Sequence, residues 1–209
     1  MRTLLLVPII HTPADMGFAQ AAVREIKGQM FGPQRTTRSE EEVSRFWDAL
    51  ERQVSALRVD RVYNDSLPLG GEAGRTLVEM VVRAGSRNYQ LLARLVAGGA
   101  HLEATEDPSL LQEEVEYLQR IVTAKSLAEK TALAEQHKGR LRELIQARDR
   151  YIAQRIHDTL RNGERGMIFL GASHHIEPLL AKDIAVVHLM RGPPSVTGDD
   201  GAAEAGRQE

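Results

Sequence analysis

No cysteine occurs anywhere in the 209 residues. That absence removes disulfides, thiolate zinc sites, iron–sulfur clusters and cysteine nucleophiles together, so any metal must be held by His, Asp or Glu. It also suits a reducing cytoplasm, where the chain is expected to work. Charge of one sign is not in excess either. The 27 Lys and Arg are nearly matched by 29 Asp and Glu, for a formal net charge of -2. Near-neutrality argues against nucleic acid or an anionic membrane as the main partner, and no RNA-binding aromatic motif is present. The densest charge clusters, RTTRSEEE at 35–42 and RLRELIQARDR at 140–150, mix both signs in the manner of solvated helix faces.

Long apolar runs are missing as well. MRTLLLVPIIH at the start is too short for a signal-peptide core or a spanning helix, and no small-residue cleavage site follows it. The glycines of LPLGGEAGR at 67–75 have neither the GxGxxG nor the GxxxxGK[ST] spacing. GASHH at 171–175 has a serine after an apolar run but not the GxSxG nucleophile elbow, which counts against Ser173 as a nucleophile.

What remains is an ordinary globular composition, 42% apolar and 27% charged, enough for one domain with a substantial core. Five short apolar runs have strand character: 3–10, 59–64, 100–105, 166–171 and 184–190. The first and fourth are almost continuously apolar, as strands covered on both faces are. Helical patterns fill the intervals. Thr12, Pro13 and Asp15 read as a helix start, and Ser39 with Glu42 as a capping box ahead of the stripe Val43, Phe46, Trp47, Leu50, Val54 and Leu57. One or two helices are expected over 73–97, another over 109–124, and a further one over 126–161 with a break near Gly139. This alternation predicts one α/β domain over 1–190. Its mainly parallel five-stranded sheet carries helices on both faces, a three-layer αβα arrangement with a helix-rich middle. The tail 191–209, rich in Gly, Pro, Ala and acid, is expected to be disordered.

Ligands of open parallel sheets sit at the carboxyl ends of the strands. Strand one runs into His11, strand two into Asn64 and Asp65, strand three into Thr105, Glu106 and Asp107, and strand four into His174 and His175. Each of these alone reads most simply as a cap or a surface residue, and Asp107, before Pro108 and Ser109, reads as a helix cap. Together they bring imidazoles and carboxylates to one edge, the groups that borderline divalent metals take. A second signal lies in LRELIQARDRYIAQRI. Arg148 falls on the apolar stripe of Leu141, Leu144, Ile145, Ile152 and Ile156, and Asp149 borders it. A charge there must be paired or must reach a cleft. About 18 residues at roughly 1.5 Å each bring Arg148 back to the strands' carboxyl edge. A structural pair with Asp149 or a nearby glutamate explains it equally well. His101, Glu103 and Thr105 alternate along strand three, with Glu103 a candidate supporting acid. His137 and His157 read as surface residues, and His188 as a sheet histidine.

These residues resemble the superfamily that joins TraB-like proteins, Tiki metalloproteases, erythromycin esterases and ChaN-like proteins. Gly171-Ala-Ser-His174 is similar to its second GxxH motif, and the segment from Ala147 to His174 resembles the lead-in seen in TraB-like proteins. Arg148 and Asp149 match the Arg-polar position, Pro8-Ile-Ile-His11 occupies the first GxxH place, and Glu106 in ATED matches the acidic motif. Pro8 stands where the family has glycine, and no clear second pair of glutamates is present. The resemblance implies an α/β fold with ligands at those positions. It does not fix an activity, because its members include hydrolases and a haem-binding protein.

The leading expectation is a metal-dependent hydrolase of a peptide, ester or similar acyl bond. His11, Glu106 and His174 would hold Mn, Co, Fe or Zn, whose bound water becomes the nucleophile. Arg148 would stabilise the oxyanion or hold a substrate carboxylate, and Asp65, Asp149, Glu103 and His175 would support those groups. A metal-free version uses a His or Glu base with the same arginine. The alternatives are a non-catalytic binding protein for a small anionic ligand or haem, and a regulatory protein that has lost the chemistry. The expected partner is a small molecule or peptide, with self-association left open.

Overall fold

The computed structural model describes residues 1–10, 15 and 41–189, with the side chain of Val122 set aside. The expected helix start at Thr12, the cap at Ser39, the tail 191–209 and His11 itself lie outside these residues.

The strands form because Val, Ile, Leu and Phe dominate short runs bounded by breakers. They are β1 (Arg2–Ile9), β2 (Arg61–Asn64), β3 (His101–Leu102), β4 (Arg165–Gly171) and β5 (Ile184–His188). All pair in parallel, in the order β3-β2-β4-β1-β5. The helices are α1 (41–54), α2 (Gly71–Arg83), α3 (Arg87–Ala97), α4 (Pro108–Thr123) and α5 (Leu127–Thr159), with a short 3₁₀ turn at Glu177–Leu179. The expected parallel five-stranded sheet with helices on both faces is the architecture found.

Side-chain alternation divides the core in two. Leu5, Val7, Ile9, Met167 and Phe169 point to the face covered by Trp47, Leu50, Val78, Leu91 and Leu92 of α1–α3. Leu4, Leu6, Ile168 and Leu170 point to the other, against Ile152 and Ile156 of α5. The winding explains the division. From β1 to β3 the chain moves across the sheet in one direction, and from β3 to β5 it returns, so right-handed crossovers put the two helix sets on opposite faces. Adjacent β2 and β4 therefore release their following loops to different faces. That reversal opens a crevice at their carboxyl ends, where such sheets bind ligands.

Two elements depart from expectation. The strand expected over 100–105 stops at Leu102, because Leu67 O captures the N–H groups of Thr105 (2.8 Å) and Glu106 (3.2 Å) that would have continued the ladder. Gly70 permits this close approach: a Cβ there would meet Ala104 N at 2.8 Å. The break expected near Gly139 does not occur. Arg140 clamps Glu113 of α4 at 2.7 and 2.8 Å beside that glycine, and α5 runs unbroken for 33 residues. Over 73–97, where one or two helices are expected, there are two, divided at Gly85, which adopts φ 91°.

No helix among the described residues is long and apolar enough to cross a membrane.

Candidate functional site

The carboxyl edge gathers its polar groups from β2, the segment after β3, α5 and the loop after β4. Asn64, Asp65, Thr105, Glu106, Arg148 and Asp149 are all buried. This is the signature of a built site, because buried polar groups persist only when they are satisfied.

α5 runs antiparallel to the sheet and brings Arg148 and Asp149 to this edge side by side, each facing a different partner. Arg148 Nε donates to Glu106 Oε2 at 3.0 Å and Nη2 donates to Oε1 at 2.5 Å, a fork-on-fork pair. Its Nη1 donates to Glu114 of α4. Burial opposes the guanidinium charge, yet the Glu106 hydrogen bond and the charges of Glu106, Glu114 and Asp65 outweigh burial and raise its pKa. The stripe-borne charge is thus paired by glutamates.

Asp149 serves the loop after β4. Its Oδ1 lies 2.6 Å from His174 Nδ1, and its Oδ2 accepts from the main-chain N–H of His175 at 3.0 Å. An ionised carboxylate only accepts, so the proton of this contact belongs on Nδ1, and in the neutral ring the lone pair then falls on Nε2. The His174 side chain is only 3% exposed. Its Nε2 lies 3.8 Å from Asp65 Oδ2, which also accepts from Gly171 N at 2.6 Å across the β2–β4 crevice.

The turn after β2 ties the two halves together. Ser66 donates its N–H to Glu106 Oε1 at 3.1 Å and adopts φ 68°, the left-handed region. A non-glycine residue held there is strained by about 1–2 kcal/mol, and such strain tends to collect at functional sites. Asn88 of α3 supports the turn from below, donating to Asn64 Oδ1 at 2.8 Å. Tyr89 presents its hydroxyl to Ser66 O at 3.5 Å, and burial, with Asp65 nearby, pushes its pKa up.

Of the residues expected from sequence, Asp65, Glu106, Arg148, Asp149 and His174 meet here. Asp107 is the cap it was read to be, accepting from Ser109 N at 2.8 Å and Leu110 N at 3.4 Å. His175 takes part through its main chain, its side chain facing solvent. Glu103 does not join. It pairs with Arg61 and lies 3.8 Å from Arg155, in a separate cluster that includes Glu164. Glu114, Ser66, Asn88 and Tyr89 were not foreseen. Glu114 carried a readable signal, since it falls between Leu111 and Leu118 at helical spacing, the same anomaly that exposed Arg148.

Metal chemistry requires free donors. Glu106 gives one oxygen to Arg148 Nε and the other to Arg148 Nη2 and Ser66 N, with a guanidinium where a cation would sit. Among the described residues no group of three or more His, Asp or Glu could hold a metal ion. His11 lies outside them.

What the arrangement offers chemically is an oriented imidazole with its lone pair at Nε2, beside a carboxylate and a braced arginine. Comparison of the chain with family models, with curated proteins and with solved structures found no match, so the family resemblance rests on its motifs alone.

Proposed function

We propose that the protein is a hydrolase of an ester, peptide or similar acyl bond in which His174 is the general base. The observation that carries this reading is the 2.6 Å contact between His174 Nδ1 and Asp149, which fixes one tautomer and aims Nε2 away from α5. In the reaction, Nε2 takes a proton from water as the water oxygen attacks the acyl carbon. The tetrahedral intermediate then expels the alcohol or amine, which regains a proton from the imidazolium. Asp149 orients the ring and stabilises its charged form. The turn at Ala172–Ser173, exposed between Gly171 and His174, offers main-chain N–H groups to the oxyanion. Arg148, compensated by two glutamates, serves as a brace for Glu106 and the Ser66 turn. The resemblance to erythromycin esterases supports the metal-free version, and the engagement of Glu106 with Arg148 counts against the metal-dependent one. The absence of cysteine supports a cytoplasmic place of work.

The test is hydrolysis of a panel of p-nitrophenyl esters and chromogenic peptides by the full chain, with and without a chelator. Wild-type activity is expected to survive chelation, and His174→Ala to lower it by about 10²–10⁴-fold with the fold unchanged by circular dichroism. Hydrolysis by His174→Ala at the wild-type rate defeats the assignment. Loss of activity on chelation, restored by Mn, Co, Fe or Zn, returns the metal-dependent reading. A second reading, a binding protein without chemistry, is favoured by the near-complete burial of the His174 side chain, and inactivity across the panel would support it.

A further inference from the structure

Two cavities lie at the opposite, amino edge of the sheet, away from the site described above. One, of about 360 Å³, runs between the end of α1, the segment 55–59 and the end of α3. Its apolar wall is made by Val54, Leu57, Leu91 and Leu95. The other, of about 320 Å³, continues from it toward the starts of β2, β3 and β4, reaching His101. Arg58, Val59 and Gly98 line both, so the two form one groove with a guanidinium at its waist.

A tally of the charges here leaves that guanidinium unanswered. Arg94 pairs with Glu51, and Glu164 is taken by Arg61 and by the main-chain N–H of Arg161. Asp60 accepts from Arg165 N at 2.7 Å. Arg58 has no carboxylate partner among the described residues, and neither has the exposed His101. A groove in the size range of ligand pockets, about 300–1,000 Å³, with one apolar wall and one spare arginine matches a particular chemistry. The arginine fork takes a carboxylate in two parallel hydrogen bonds, and the wall takes an aliphatic chain. Phosphate-rich ligands fit less well, because among the described residues Arg58 is the one groove-lining guanidinium without a carboxylate partner, too little charge for a multiply charged group.

We infer that the amino edge binds a small amphipathic carboxylate, a medium-chain fatty acid or a molecule like it. Arg58 holds the carboxylate, and Val54, Leu57, Leu91 and Leu95 cover the chain. This site is independent of the hydrolytic reading, since it shares no residue with it.

The probe is octanoate, titrated into the full chain by calorimetry and by ¹⁵N chemical-shift mapping. Saturable binding is expected, with shifts centred on 54–59 and 91–98. Arg58→Glu should weaken it by about tenfold or more, the size of one charge-assisted pair. Octanol, which has the chain without the charge, should bind about tenfold more weakly than octanoate. Arg58 is exposed, so its substitution leaves the fold intact. The charge reversal at Arg58 is separated from the apolar contribution by a second variant, Leu57→Ala, which shortens the wall, adds no charge, keeps Arg58 and should weaken octanoate as well. The proposal is overturned if octanoate produces no saturable shifts, if Arg58→Glu binds it unchanged, or if octanol binds equally well.

Discussion

The Nδ1 atom of His174 lies 2.6 Å from Oδ1 of Asp149, a residue that directly follows Arg148 in α5. Adjacent helix positions point about 100° apart, so one helix can serve two clusters at once. Arg148 turns toward Glu106 and Glu114, while Asp149 turns toward the loop after β4. α5 is therefore the spine of the candidate site, and its consequences can be measured separately.

Asp149→Asn should preserve the fold and disable the dyad. An amide can accept at Nδ1–H through its oxygen or present its NH₂ and reverse the tautomer, which takes the lone pair from Nε2. Activity is expected to fall by about 10²–10⁴-fold while denaturant midpoints change little. Equal loss in Asp149→Asn and His174→Ala, with no further loss in the double variant, would show that the two act as one unit.

The Arg148 cluster should behave as a stability element. Arg148→Ala leaves Glu106 buried without its counter-ion, at an expected cost of about 3–5 kcal/mol in urea unfolding. Replacing the pair together, Arg148→Met with Glu106→Leu, removes the stranded charge and should recover much of that loss. Additive destabilisation in the double variant would count against a coupled pair.

Two helical glycines should respond in opposite directions. A methyl group at Gly74 would collide with Leu69 O and lie 3.0 Å from Leu102 Cδ2, so Gly74→Ala is expected to destabilise by about 1–3 kcal/mol. At Gly139, within α5, an added Cβ meets nothing within 4 Å. Gly139→Ala should therefore stabilise by up to about 1 kcal/mol through helix propensity. Thermal unfolding of both variants decides the matter.

Alkaline pH should expose the buried phenols. Burial pushes Tyr63 up to about 12, against a lesser downward pull from its hydrogen bond with Thr159 at 2.9 Å, and Tyr89 is raised by burial too. A group whose folded pKa exceeds its unfolded value contributes stability that is complete below the unfolded value, near 10, and is lost as pH rises toward the folded one. Stability should thus decline between about pH 10 and 12. Absorbance of tyrosinate should show a late step that shrinks in Tyr63→Phe and in Tyr89→Phe. A single step near pH 10 involving all four tyrosines would contradict this placement.

Much of the fold was legible because its causes are local. β-branched and leucine-rich runs make strands, capping residues start helices, and alternation of the two makes a parallel sheet. The carboxyl-edge rule then located Asp65, Glu106 and His174, and a charge on an apolar stripe located Arg148. The length of β3 was not legible, since Leu67 O stops it from a loop distant in sequence. Nor was the role of Glu103, because nothing local says whether an acid will find Arg61 or the crevice.

The chain alone determined that Asp65, Glu106, Arg148, Asp149 and His174 arrive at the edge, since periodicity and strand ends depend on neighbours a few residues away. Only the tertiary structure decided who pairs with whom. Glu106 took Arg148, Asp149 took His174 and, among the described residues, Arg58 was left over, outcomes set by distances between elements that come into contact only once the sheet and α5 have packed.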